Sequence, residues 1–442
     1  MELTTSKPSI HAPNRPTTHR ILYSPVWMVV IALAVRVLYI FISGSYRDIN
    51  PIGSVNEMVR LGYSLAIGNG FSNPYVVHTG PSAWTPPLYP WLISLAFRAF
   101  GVYSNTAGIV LLLFSSICAA LTCWVVYRIA RRVFNETVAV WSGWVWALFP
   151  YSIHFSAGLV WETSLSAFLL SVLFLLTLDM EGNDSLLWWC GYAVLWGIAA
   201  LTNTALTAFL PFSGCWLAYH LSRRGKPMLA PVLLSAAVFW VVLTPWLVRN
   251  YQVFGQPVFI RDNFGNELRS GNNPLAEGWG VPDYHVGSNP SLLVLFTGRS
   301  EPAINAEQAR EAKAWIAQHP AAFLVLCWRR FIYFWAGVPV TWRGAARTGV
   351  EQAKNWFFLA LSLLALGGLW VAVVRRVHGL FLFVTLVLFY PLIYYITFPT
   401  ARYRHPIEPE LIILAVLFVS SWPALARQMT GLFRPHKSPN SQ

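Results

Sequence analysis

The feature that most constrains this chain is a series of about ten apolar runs, each near the length of a membrane-crossing helix. They fall at roughly 24–43, 105–127, 137–153, 162–178, 186–202, 205–221, 228–247, 355–374, 379–398 and 409–426. A spanning helix needs about 20 mostly apolar residues. Composition closes the soluble alternative. Apolar residues make up 56% of the chain before its 29 glycines are counted, and charged residues only 11%, against norms of about 45–50% and about 25%. So few charges cannot clothe soluble domains, and so many apolar residues exclude disorder. The expectation is an all-α polytopic membrane protein with about 10 (about 9–13) transmembrane helices.

Lys and Arg number 31 and Asp and Glu 18, a net charge of +13. On a soluble protein that excess would suggest nucleic acid. Here the basic residues sit in short clusters between apolar runs, as positive-inside topology requires, and no nucleic-acid partner is expected. Arg128/Arg131/Arg132, Arg223/Arg224/Lys226, Arg375/Arg376 and Arg427/Arg434/Lys437 all fall on the side of the N-terminal Lys7, Arg15 and Arg20. Both termini are therefore expected in the cytoplasm. The five cysteines all lie in apolar runs and read as small core residues, not as a disulfide or metal framework. Residues 1–20 are polar and the first apolar run carries Arg36, which does not fit a cleavable signal peptide.

This divides the chain into a tail (1–23), a transmembrane core (24–247) carrying a first outer loop (44–104), a second outer segment (248–354), C-terminal spans (355–426) and a tail (427–442). Residues 54–68 set apolar positions at helical spacing with Glu57 and Arg60 opposite, a pattern for an amphipathic surface helix. Residues 86–100 are too short to span and contain Arg98. Residues 320–336 hold Arg329 and Arg330 in mid-run, where spanning would cost about 2.5–3.5 kcal/mol for each arginine. A surface helix is expected there. No internal repeat is visible, which weighs against repeat-built transporter folds.

Thirteen of the 18 acidic residues fall outside or near the outer face, and the second outer segment holds nine Arg but two Lys. Arginine is favoured where a phosphate or carboxylate is gripped in bidentate fashion. The outer face is thus the expected working surface and an anionic group its expected ligand. Asp48 and Glu57 are carboxylates placed to act as a general base, or are simply exposed. The Thr85–Pro90 stretch, with paired prolines that cannot lie mid-helix, fixes the start of a short helix. Arg249 at an outer helix end either anchors to bulk lipid or holds a substrate phosphate. Arg402, Arg404 and His405 run against the positive-inside trend. They serve either a phosphate or ion pairs with Glu408 and Glu410. Glu162 begins a spanning helix, where the helix dipole alone favours a carboxylate by about 0.3–1 kcal/mol, or it belongs to a site.

In order, the chain carries Glu57…Leu65-Ala66…Gly68-Asn69-Gly70-Phe71, then Gly80-Pro81-Ser82-Ala83-Trp84-Thr85-Pro86-Pro87-Leu88-Tyr89-Pro90. Pro245-Trp246…Arg249-Asn250-Tyr251…Gly255, Gly271-Asn272-Asn273-Pro274 and Arg402-Tyr403-Arg404…Pro406 follow. This order resembles the dolichyl-phosphate-mannose protein mannosyltransferase and aminoarabinose transferase type, glycosyltransferase family 39 and its bacterial relatives. The resemblance implies the C-type glycosyltransferase fold. It also implies an inverting transfer of a monosaccharide from a polyprenyl-phosphate sugar lipid to a glycan, lipid or protein acceptor outside the cytoplasm. A first-loop carboxylate would serve as base: Glu57, which lies within the matching helix, or Asp48. Arg249, Arg402 and Arg404 would hold the donor phosphate, with Glu162, Tyr89, Asn250, Asn272 and His405 as pocket residues. The chain departs from many relatives in carrying Ser54 where they have Asp. No metal and no cofactor are implied, and a bacterial inner membrane is the expected home. The alternatives are a lipid-linked glycan flippase, which would need polar residues through several spans, and a non-catalytic scaffold of envelope assembly. Apart from Arg36 the spans are almost bare of charge.

Overall fold

The computed structural model describes residues 23–49, 56–339 and 349–432. The residues of the two expected tails before 23 and after 432, and Ser54, lie outside that range. The described chain is helical, with a single isolated β-bridge, between Ser72 and Pro81, among the described residues. The helices are α1 (Pro25–Ser43), α2 (Glu57–Ala66), α3 (Leu88–Phe100), α4 (Asn105–Val133), α5 (Glu136–Leu148) and α6 (Pro150–Ala157). Then come α7 (Thr163–Asp179), α8 (Leu186–Thr202), α9 (Leu210–Arg223), α10 (Leu229–Phe254), α11 (Phe264–Gly271) and α12 (Glu301–Gln318). The last six are α13 (Pro320–Ala336), α14 (Val350–Val374), α15 (Leu380–Phe389), α16 (Leu392–Ile396), α17 (Ala401–Arg404) and α18 (Glu408–Leu432).

Among the described residues, five helices are long and apolar enough to cross a membrane: Pro25–Ser43, Asn105–Val133, Leu229–Phe254, Gln352–Val374 and Ala401–Trp422. Leu88–Phe100, Thr163–Asp179, Leu186–Thr202 and Leu380–Ile396 are shorter apolar helices. Three of the expected runs are not single helices. The run 137–153 breaks between α5 and α6, because Phe149 turns to an extended conformation and Pro150 has no N–H to continue the ladder. The run 379–398 breaks between α15 and α16 at Pro391, and 205–221 begins as a 3-10 turn (Thr204–Phe209).

Close packing fixes the bundle. α4 lies at its centre against α1, α5 and α7, and the Trp146 indole N–H donates to the Ala119 carbonyl at 2.9 Å, pinning α5 to α4. α14 and α18 cross at Gly367 and Gly368, where a Cβ on Gly368 would overlap the Leu414 carbonyl oxygen. Small residues at such crossings let helix backbones approach in an apolar medium. Arg36, fully buried in α1, is explained by the α5–α6 break. Its guanidinium donates to the carbonyls of Ala32 and Ala147 at 2.9 Å each and to the hydroxyls of Ser152 at 2.8 Å and Ser156 at 3.1 Å. The break frees a carbonyl and the arginine fills it.

The two ends of the bundle differ in character. At one end Arg128 and Arg132 face Asp179 at 3.7 and 3.9 Å, and Lys226 meets Asp184 at 2.7 Å. Two of the basic clusters that the sequence put on one side thus sit at the ends of α4 and α9, facing the acidic residues that follow α7. At the other end the helix breaks and the segments 56–104 and 255–339 enclose a cavity. In the second of these, α13 turns Arg330 inward and Arg329 outward. Arg330 is fully buried and donates to Asn272 and to the carbonyls of Gly271, Tyr395 and Ile396.

Candidate active site

The cavity has a volume of about 1270 Å³. Its walls come from the start of α2, the Trp84–Pro86 stretch, the α6–α7 turn, the α8 end, the 261–288 segment and the chain from Phe389 to Tyr403. Carboxylates Glu57, Glu162 and Glu267 line it together with Arg261, Arg402, His154, His285 and Lys354, set among aromatic rings.

Glu57 is the first residue of α2. Asn56 caps that helix through its side-chain oxygen, accepting from the N–H groups of Met58 and Val59 at 3.1 and 3.3 Å. The same Asn56 side chain donates to the Val160 carbonyl at 2.8 Å. One residue therefore starts the helix and docks it on the turn that bears Trp161 and Glu162. On the far side Gly287 approaches so closely that a Cβ there would lie 3.0 Å from the Glu57 Oε1 and 3.2 Å from His285. Burial pushes the Glu57 carboxyl above its ordinary range, against the pull of His285 and Arg402.

Glu267 is held the opposite way. It sits in α11, which packs on α12 at Gly265, where a Cβ would overlap the Asn305 carbonyl. The Asn266 Oδ1 accepts the Val286 N–H at 3.1 Å, bringing the 285–287 backbone beside α11. Gly287 N–H donates to His285 Nδ1 at 3.2 Å, which leaves the ring proton on Nε2, 4.0 Å from Glu267 Oε1. The same oxygen accepts from Asn263 at 2.9 Å. Burial raises Glu267, but His285, Arg261 and Arg402 outweigh it and hold the carboxyl below its ordinary value. Glu57 and Glu267, in one cavity, are thus shifted in opposite directions, the first towards the protonated form and the second towards the ionised one.

The cations face them. The Arg402 guanidinium lies 3.9 Å from the centre of the Trp161 ring, and among the described residues no carboxylate is within 4.0 Å of it. Arg261 Nε is buried with no hydrogen-bond partner. A buried, unspent guanidinium N–H is costly unless an acceptor arrives. Glu162 is buried just before α7, with Oε2 also lacking a partner.

Residues 85–248 match the family model of dolichyl-phosphate-mannose-protein mannosyltransferase. No curated protein matches the chain in sequence. The apo oligosaccharyltransferase of Archaeoglobus fulgidus superposes with a TM-score of 0.52 at 15% identity, over 95% of this chain and 53% of that one. The fold is the C-type glycosyltransferase fold. The resemblance to the protein mannosyltransferase type is borne out, as is the all-helical polytopic membrane architecture. The same archaeal enzyme with an inhibitory peptide and a dolichol-phosphate is similar at a TM-score of 0.48 and 14% identity, over 93% of this chain and 52% of that one. ArnT from Cupriavidus metallidurans bound to undecaprenyl phosphate is similar at 0.40 and 15% identity, over 96% and 82%. The chain spans about half the length of the archaeal enzyme.

Within the C-type fold the sequence-derived residues separate. Glu57, Glu162 and Arg402 meet at the cavity, whereas Asp48, Tyr89, Arg249, Asn250, Asn272, Arg404 and His405 do not line it. Asp48 is exposed after the 3-10 turn Ser45–Arg47. Tyr89 is buried with its hydroxyl 3.2 Å from Ser115. Arg249 donates to the carbonyls of Ser82 and Phe71 at 2.7 Å each and to Asn250 at 3.0 Å, pinning the first outer segment to α10. Asn272 joins α11 to the Ile396 carbonyl at 3.0 Å. Arg404 is buried against Ser362 and the carbonyls of Trp335 and Phe358, with Glu408 at 3.8 Å, and His405 sits 2.6 Å from Glu408. Arg249 and the Nη1 group of Arg404 thus serve the fold, because both sit where loops and helix ends expose carbonyls, while Nε and Nη2 of Arg404 are buried without a hydrogen-bond partner.

No local sequence pattern marks Arg261, Glu267, His285 or Lys354 as a site residue. The only signal for them was the arginine bias and the anionic-ligand reading of the second outer segment.

Beside Arg249, Glu301 accepts from the Ser82 hydroxyl at 2.6 Å and the Ala83 N–H at 2.7 Å, and burial pushes its carboxyl up to about 8. Its folded value lies above its ordinary value of 4.5. Its contribution to stability is therefore complete below pH 4.5 and is lost as pH rises through about 8. The thermal midpoint of the native protein is expected to fall across that interval, and Glu301→Gln should flatten the dependence. Thermal unfolding of both forms between pH 5 and pH 9 checks this.

Proposed function

We propose that the protein is a membrane glycosyltransferase that takes a monosaccharide from a polyprenyl-phosphate donor and places it on an acceptor hydroxyl or amide. The observation that carries this reading is the meeting in one cavity of Glu57, a carboxylate with a raised proton affinity, with Arg402, which has no carboxylate within 4.0 Å among the described residues, and Arg261, whose Nε has no hydrogen-bond partner. The family match and the C-type fold support the same reaction class, and similar proteins bear dolichol-phosphate or undecaprenyl phosphate.

In this mechanism Glu57 takes the acceptor proton as the acceptor attacks the anomeric carbon. The bond from that carbon to the phosphate oxygen breaks, with inversion. Negative charge grows on the departing phosphate, and Arg402 and Arg261 are placed to stabilise it. Glu267 stays ionised and keeps His285 and the arginines oriented. The aromatic walls lower the local dielectric, which strengthens the charge interactions beside them.

Purification of the full chain in mild detergent, followed by lipid extraction and mass spectrometry, tests the donor class. A co-purified polyprenyl phosphate or its glycosylated form is expected. Bulk phospholipid alone, from membranes shown to contain the donor lipid, would count against the reading. A second test uses Gly287→Val. The added side chain must displace Glu57 or His285, and a misplacement of about 1 Å costs about 10²-fold in rate. Transfer is expected to fall by about that factor with donor binding kept.

A further inference from the structure

At the end of the bundle opposite the cavity, three side chains from separate elements converge. Glu181 lies in the turn after α7, His220 near the end of α9, and His378 in the turn between α14 and α15. One ligand atom from each lies within 4.8 Å of the others. We propose that Glu181, His220 and His378 form a binding site for a zinc-class divalent transition metal that clamps these three elements together.

The donor set has the right chemistry. Two imidazoles and a carboxylate suit zinc, which takes such ligands at about 2.0–2.2 Å and accepts water as a fourth. At those lengths tetrahedral ligand atoms stand about 3.4 Å apart, so the cluster needs only small side-chain adjustments. His378 Nε2 sits 2.8 Å from both Glu181 oxygens. His220 Nε2 is buried without a hydrogen-bond partner, a lone pair or proton that the protein leaves unmatched. An ion pair between His378 and Glu181 explains the first contact but not the second. The surroundings are those of an oriented site. The Trp216 indole N–H donates to Glu181 Oε1 at 3.1 Å, and its ring lies 4.4 Å from His220 and 5.4 Å from His378. An outer-shell donor of this kind fixes the carboxylate and shapes its affinity.

Position gives the site a purpose. The chain beside each ligand leads back to the cavity: α7 to Glu162, α9 to the Thr204–Ala208 wall, α15 to the Phe389–Tyr403 wall. A helix the length of α7 separates the two ends by about 25 Å. The metal would therefore fix the spacing of the cavity walls without touching substrate.

The test uses tag-free full chain in detergent, stripped with chelator and titrated with Zn²⁺ alone against a competing fluorescent chelator. One Zn²⁺ per chain is expected, with a higher thermal midpoint on binding. His220→Ala and His378→Ala should each weaken that binding by more than about 10-fold, since even disturbing an outer-shell partner costs 10–100-fold. His319→Ala, an exposed histidine elsewhere, should leave it unchanged. Absence of stoichiometric binding would overturn the proposal, as would binding equally tight in the two ligand variants. His378 is exposed, so its replacement remains informative if His220→Ala fails to fold.

Discussion

Glu57→Gln is expected to lower sugar transfer by about 10²–10⁴-fold, the range general-base catalysis supplies, while leaving the fold and donor binding intact. Gln keeps the size and the first-turn position but cannot take a proton. The native protein should show the matching pH profile. Glu57 must be ionised to act, and burial sets its pKa above the ordinary carboxylate range. Transfer should therefore rise with pH through that raised value and then level off. The variant should lose this rising limb. Initial rates from pH 4 to pH 9 check both statements. Full activity in Glu57→Gln, with the limb unchanged, would remove Glu57 from the chemistry and return attention to Glu267 and Glu162.

Arg402→Ala should carry the second large loss. Its guanidinium is uncommitted to any carboxylate within 4.0 Å among the described residues and is held over Trp161. Removing one such electrostatic donor typically costs about 10²–10³-fold in rate. Arg402→Lys should recover only part of this, because a point charge cannot reproduce the bidentate fork or the stacked geometry. The contrast with Arg404 is sharp. Arg404→Ala should lower the thermal midpoint, because it empties a buried site and removes the ion pair with Glu408 together with the donor to Ser362 and the Trp335 carbonyl. Parallel rate and melting measurements on the two variants separate the roles.

That contrast also explains what could be read from sequence. Arg402 and Arg404 look equivalent in the chain, yet two residues on a helical turn diverge by about 200°. One therefore faces the cavity and the other the bundle. Apolar run length located helices such as α4 and α14, where one continuous stretch makes one helix. Run length alone passed over Pro150 and Pro391, although both helix breaks are written in the sequence. Helical spacing found α2, and with it Glu57. Arg261, Glu267 and His285 lie on a short helix and irregular chain with no sustained period. Their approach depends on contacts such as Gly265 against Asn305 and Asn266 against Val286, which no local pattern announces. Arg249 sits in a stretch that matched its relatives' order, but its partners, Phe71 and Ser82, lie more than 160 residues away in sequence.

Arg261 and Arg402 are expected to hold a polyprenyl phosphate opposite Glu57. Native mass spectrometry of the full chain with added undecaprenyl phosphate tests it most directly. One lipid per chain is expected on the native protein and on Glu57→Gln, and at least about 10-fold less on Arg261→Ala/Arg402→Ala. Equal occupancy on all three proteins, or none on the native chain, would contradict the account.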